Sequence, residues 1–215
     1  GFRVTTVKAA RQDTPLLAQG AVPQFEATFQ RETHALLIER VRVSAIVGAT
    51  VYVLFWALDF AAAPALIWPF LKIRLVAACA VGLLAALTIT AVGKRFILLI
   101  SLLVPIIGSS GISLMTVYLG GFESDYYIGN MMVLFFVGLF MPWSMRVSII
   151  FCAALVVPYV AMNWGIHGDP VSGVWGTSFL LGTSAFTAFA TRASDITRRQ
   201  DLILRCQLEV ANSEL

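Results

Sequence analysis

Phe96 to Leu119 reads FILLISLLVPIIGSSGISLMTVYL, without one charged side chain. A helix of about 20 apolar residues covers the roughly 30 Å hydrocarbon core of a bilayer, so this stretch is long enough to span it. The two-residue alternation of a barrel strand is absent, and in lipid a helix pairs its backbone groups within its own segment. Five further apolar runs share the pattern, at residues 43–62, 69–91, 127–144, 147–164 and 173–191. The expected fold is therefore all-α. It is a membrane bundle of six transmembrane helices, with an amphipathic N-terminal helix and a C-terminal coiled-coil-like signalling helix.

Composition agrees. The 215 residues are 59% hydrophobic and only 13% charged, with a mean hydropathy of +0.84. A soluble domain carries about 25% charged residues, so this chain has too little polar surface to cover a water-soluble globule, and the lipid bilayer is its expected solvent. The net charge of +3 is dispersed and leaves no nucleic-acid footprint. Cys79, Cys152 and Cys206 show neither metal spacing nor a disulfide framework. No catalytic motif stands out, and neither a cofactor nor a metal is expected.

The loops orient the spans. Arg31, Arg40, Arg42, Lys94, Arg95, Arg146, Arg192, Arg198, Arg199 and Arg205 fall in one set of connections. Asp59, Glu123, Asp125 and Asp169 fall in the other, with Lys72 and Arg74 as the nearby bases. The positive-inside rule then places both termini in the cytoplasm. Trp56, Trp68, Trp164 and Trp175 lie towards outer span ends and suit an aromatic belt, whereas Trp143 marks the inner face. His34 and His167 fall on opposite sides of the membrane and read as solvated or interfacial histidines, with pH sensing at His167 as the functional alternative.

Four segments follow. Residues 1–22 read as a flexible cytoplasmic segment, and 23–42 as an amphipathic helix lying at the membrane surface before it turns into the first span. Residues 43–191 read as the six-helix transmembrane domain. Residues 192–215 are polar yet free of glycine and proline, and no helix stop signal closes them. There Ile196, Ile203 and Val210 repeat every seventh residue, with Leu204 and Leu208 in a second register. This pattern suggests a parallel coiled coil; the alternative is one amphipathic helix resting on the membrane.

Candidate ligand-binding groups cluster near the outer face: Arg74, Asp59, Asp125, Tyr126, Tyr127 and Asn130. A charge within a span is costly and seeks a partner inside the bundle, so Arg74 is expected to pair with Asp59 or Asp125. The pair either rims a ligand pocket walled by aromatic rings or is a structural ion pair. Pro105, followed by Gly108, Ser109, Ser110 and Gly111, predicts a kink or an unwound turn in the third span. It joins the candidate signal-transmission residues Ile196, Ile203, Leu204, Leu208 and Val210. Ala78, Gly82 and Ala86 permit close helix contact along the second span.

The run Asp125-Tyr126-Tyr127-Ile128-Gly129-Asn130, continuing to Met141-Pro142-Trp143-Ser144, resembles the YY…PW signature of a six-helix bacterial membrane sensor domain. That domain stands ahead of sensor histidine kinases and class III nucleotide cyclases. Asp59 and Arg74 fit the same pattern, which covers roughly residues 25–215, while Asn130 replaces an apolar residue. The resemblance implies a homodimer in the bacterial inner membrane that senses a small hydrophobic or amphiphilic ligand or the state of the membrane. Its C-terminal helix would pass the signal to a cytoplasmic output domain of the same chain, a histidine kinase or an adenylate or guanylate cyclase. Two other classes fit the composition: a small transporter or channel, and a non-catalytic membrane subunit of a larger complex.

Overall fold

A computed structural model describes residues 21–164 and 170–213. The expected flexible segment up to residue 20, together with His167 and Asp169, lies outside the described residues. The described chain is all-helical, with no strand. Its helices are α1 (Ala21–Leu54), α2 (Trp56–Ala62), α3 (Ile67–Leu87), α4 (Ala91–Arg95), α5 (Ile97–Tyr118), α6 (Tyr127–Phe140), α7 (Met145–Asn163) and α8 (Pro170–Ser213). Single 3-10 turns at Pro64–Leu66 and Gly121–Glu123 complete the connections.

Four stretches are long and apolar enough to cross a bilayer: Phe25–Ala62, Pro64–Leu87, Ile97–Tyr118 and Met145–Asn163. α5 is the axis of the bundle. It packs against α1 and α3 on one side and against α6 and α7 on the other, and α8 closes the second side against α6 and α7. Its position explains its composition. Ser101, Ser109, Ser113 and Thr116 are buried there, and small hydroxyl residues allow helices to approach and bond in a medium without a hydrophobic driving force between them.

Several expectations need correction. The N-terminal amphipathic helix does not turn at the membrane surface. α1 runs without a break for 34 residues, about 51 Å at 1.5 Å per residue, so its charged first part continues the axis of the span. Phe29 and Leu37, on the apolar side of that part, are buried. The first span is instead interrupted at Phe55, between α1 and α2. α5 stays helical through Pro105, so no turn is unwound there, and α7 likewise continues through Pro158.

The fourth run ends early. α6 has 14 residues, about 21 Å, and Met141 to Ser144 are not helical. Pro142 disfavours helical backbone at the residue before it, and Met141 is extended at φ −86°, ψ 130°. Trp143 is buried, donates from Nε1 to Ser101 Oγ at 2.9 Å, and packs on Phe151. Irregular backbone at membrane depth is tolerated where protein covers it, and Met141, Pro142 and Trp143 are all buried. Trp68, Trp164 and Trp175 do remain exposed at the opposite end of the bundle.

Candidate functional site

Arg74 lies on α3 and is 3% exposed; Asp59, on α2, is 1% exposed. Arg74 Nε donates to Asp59 Oδ2 and Nη2 to Oδ1, both at 2.9 Å. This bidentate fork is the strongest geometry available to the two groups. The remaining nitrogen, Nη1, donates to the carbonyl of Tyr52 at 2.9 Å, among the last carbonyls of α1, which lack helical partners. The guanidinium also stands 5.0 Å from the centre of the Tyr52 ring. Tyr126 donates its hydroxyl to Asp59 Oδ1, and its ring meets Phe70 at 5.8 Å. One buried ion pair thus ties together α1, α2, α3 and the start of α6.

Of the two carboxylates considered for Arg74, Asp59 is the partner. Asp125 is exposed and Lys72, two residues before Arg74, is exposed as well. The adjacent tyrosines part company. Tyr126 joins the ion pair, whereas Tyr127 turns to α8, where its ring stacks on Phe179 at 6.5 Å. One turn further along α6, the fully buried Asn130 accepts from Ser109 Oγ at 2.8 Å and donates to Ser113 Oγ at 3.0 Å. Tyr126, Tyr127 and Asn130 therefore face three different neighbours from one turn of chain.

Sequence reasoning missed several polar joints. Thr116 on α5 donates to Asn163 Oδ1 on α7 at 3.0 Å, and Asn163 donates to the Tyr159 carbonyl at 2.7 Å. An amide in an apolar run was the available signal. Arg40 and Arg42 counted only as inner-face charges, yet each caps a helix. Arg40 donates to the Phe140 carbonyl at the end of α6 at 2.6 Å, and Arg42 to the carbonyl and hydroxyl of Thr88, each at 2.9 Å, just past α3. Close packing joins α6 to α8: a Cβ on Gly138 would stand 3.1 Å from the Thr187 Cα, and the Thr187 hydroxyl donates to the Leu134 carbonyl at 3.0 Å.

α8 carries this packing out of the bundle. It is one helix of 44 residues, about 66 Å, so the sixth apolar run and the polar segment after it are continuous. Beyond Thr191 its inner face meets the first part of α1. Arg199 bonds Glu26 at 3.0 Å and stands 4.2 Å from the Phe29 ring centre, and Arg198 lies 5.7 Å from the same ring. The amide of Gln30 and then Arg199, by hydrogen bonding, hold the Glu26 carboxyl below its ordinary value. Ile196, Ile203, Leu204 and Leu208 remain exposed on α8; the side chain of Val210 lies outside the described residues.

A helical, largely apolar bundle with a long outgoing helix is the setting in which a family match falls. The family model MASE8 matches residues 57–209. The chain belongs to the MASE8 family. MASE8 is a family of membrane-associated sensor domains, and the match covers more than half of the chain, from α2 into the last part of α8. No curated protein matches the chain, and no solved structure matches it. Arg74, Asp59, Tyr126 and Asn130 all lie within the MASE8 match, while Tyr52 and the rest of α1 precede it.

Proposed function

We propose that this MASE8 domain is the input module of a bacterial membrane receptor, responding to a small hydrophobic or amphiphilic ligand or to the state of the membrane. The observation that carries the reading is the continuity of α8, which joins the Gly138–Thr187 contact inside the bundle to the exposed apolar residues Ile196, Ile203, Leu204 and Leu208. A shift of α6 against α8 at that close contact has no flexible joint in which to dissipate. In this reading α6 and the first part of α8 complete six crossings, both ends of the chain are cytoplasmic, and the membrane is the bacterial inner membrane. Two copies pair through the exposed stripe of α8 as a parallel coiled coil. Its rotation or register controls a cytoplasmic output domain, a histidine kinase or a nucleotide cyclase.

Arg74, Asp59 and Tyr126 form the rigid outer anchor, which holds the start of α6 while α5 and the far end of α6 move. A stimulus shifts such a switch only through its difference in affinity between the two states. The test fuses the chain to a cyclase or kinase reporter and inserts one to four residues between Leu204 and Arg205, beyond the Arg199–Glu26 contact. Output that follows the helical phase of the insertion is expected. Output indifferent to phase would remove the coiled-coil route.

A further inference from the structure

A cavity of about 230 Å³ lies between α1, α3, α5 and α6. Pro105, Gly108 and Ile112 of α5 form its floor, with Ala77 and Val81 of α3 at the back. Its mouth is flanked by Val47 and Val51 of α1 and by Met132 and Phe136 of α6, all exposed on the side of the bundle. In a bilayer, that mouth faces acyl chains. Its volume falls below the roughly 300–1,000 Å³ of sites for drug-sized ligands.

Two features separate this cavity from a packing defect. Glycines in membrane helices ordinarily permit close approach of a neighbour, as Gly138 does. Gly48 and Gly108 line the cavity instead, and a Cβ on either would meet nothing within 4 Å. The missing side chains leave room rather than contact. Second, Ser44 and Tyr52 line the cavity, and their buried hydroxyl oxygens have no hydrogen-bond partner. Ser44 is only 4% exposed. Hydroxyls buried in α-helices commonly bond back to their own backbone, as Thr183 and Thr191 do; Ser44 does not. Buried polar groups without partners are few in native proteins and call for an explanation. Ser44 and Tyr52 are eight residues apart on α1, about 80° around the helix and about 12 Å along its axis.

We infer that this groove seats an uncharged, single-chain amphiphile bearing a hydroxyl or carbonyl group, which enters sideways from the bilayer and hydrogen-bonds to Tyr52 or Ser44. The ligand is uncharged because an ion here would be buried without a partner, and Arg74, the cation against Tyr52, has all three nitrogens engaged. Tyr52 connects the groove to the ion pair, since its ring and its carbonyl both contact Arg74. The inference supplies the ligand class for the receptor reading above and rests on that reading for its consequence, not for the binding itself. Both hydroxyls come from α1, which precedes the MASE8 match.

The test uses the full chain in lipid nanodiscs and a diazirine-bearing alkanol as photoprobe, with 1-decanol and n-decane as competitors. Mass spectrometry should place the label on residues of α1 and α6 at the mouth. Decanol should compete better than decane. The S44A/Y52F double variant should weaken decanol competition by about 2- to 12-fold for each hydrogen bond lost and leave decane competition unchanged. Gly108→Leu should fill the floor and abolish labelling while the protein keeps its unfolding temperature; Gly48→Leu does the same at the mouth should the first variant fail to fold. Labelling elsewhere, decane competing as well as decanol (the mark of a bulk lipid tail), or undiminished labelling of the filled variants overturns the inference. If decanol binds as described but leaves reporter output unchanged, the groove stands and the receptor reading falls. If the reporter answers decanol equally in Gly108→Leu, the receptor reading stands and the groove falls.

Discussion

Two arginine–carboxylate pairs hold opposite ends of this bundle, and their chemistry is the same. Arg74 and Asp59 meet at 2.9 Å with side chains 4% and 1% exposed; Arg199 and Glu26 meet at 3.0 Å with side chains 39% and 45% exposed. The difference is the medium. The Arg74–Asp59 pair has no water to fall back on, and each guanidinium nitrogen and both carboxylate oxygens find a partner within the protein, with Tyr52 and Tyr126 completing the set. The inner pair can exchange its partner for water at little cost. One pair is suited to fix geometry and the other to let it change. In the proposed receptor, the outer end anchors the switch while the inner ends of α1 and α8 move.

The largest expected effect breaks the outer pair. Arg74→Met leaves a buried carboxylate without its partner and should destabilise the bundle by about 3–5 kcal/mol, read as a lower unfolding temperature in detergent. Combining it with Asp59→Leu should recover much of the loss, because two apolar groups need no partner. A double variant no better than the single would show that the pair does more than neutralise itself.

Asn130 tests the intermediate case, buried but uncharged. Asn130→Leu should cost about 0.6–2 kcal/mol, since Ser109 and Ser113 can turn back to their own helix once the amide is gone. A loss as large as that of Arg74→Met would erase the distinction between buried charge and buried polarity.

Arg199→Ala should change unfolding by less than about 1 kcal/mol, yet widen the distance between spin labels at Ala27 and Gln200. Raising the salt concentration should widen it in the unaltered protein too, and leave the outer pair intact, because exposed charges are screened and buried ones are not.

The smallest effect is in pH. The Glu26 carboxyl is held below its ordinary value in the folded chain. Its contribution is therefore complete above the unfolded carboxylate value and is lost as pH falls through the lower, folded one. The same spin-label distance should stay constant from neutral pH down to the ordinary carboxylate range and increase below it. An increase near neutrality would assign the change to another group.

Much of the candidate site was legible because charge in an apolar run is conspicuous. Arg74 and Asp59 stand out for that reason, and the cost of burying either alone pointed to a pair. Which carboxylate answers Arg74 was not legible, since Asp59 and Asp125 sit at similar distances from a span end. The break at Phe55, with the α2 turn it starts, carries Asp59 inward, while Asp125 is left on an exposed turn. Ser44 and Tyr52 gave no signal at all: a serine and a tyrosine in a membrane helix are ordinary until their neighbours are known to be glycines facing a void.

Hydropathy and its length scale were enough to establish an all-helical chain that belongs with lipid, because the cost of unpaired backbone in hydrocarbon leaves few alternatives. They also marked residues 192–213 as helix-compatible. Tertiary structure alone decided that the first part of α1 packs against α8, that Trp143 lies in the core, and that a groove opens beside Pro105. Each of these depends on which helix stands next to which. Periodicity along one helix records which of its faces are apolar, and it holds no record of whether a neighbour, a lipid or an empty space lies against them.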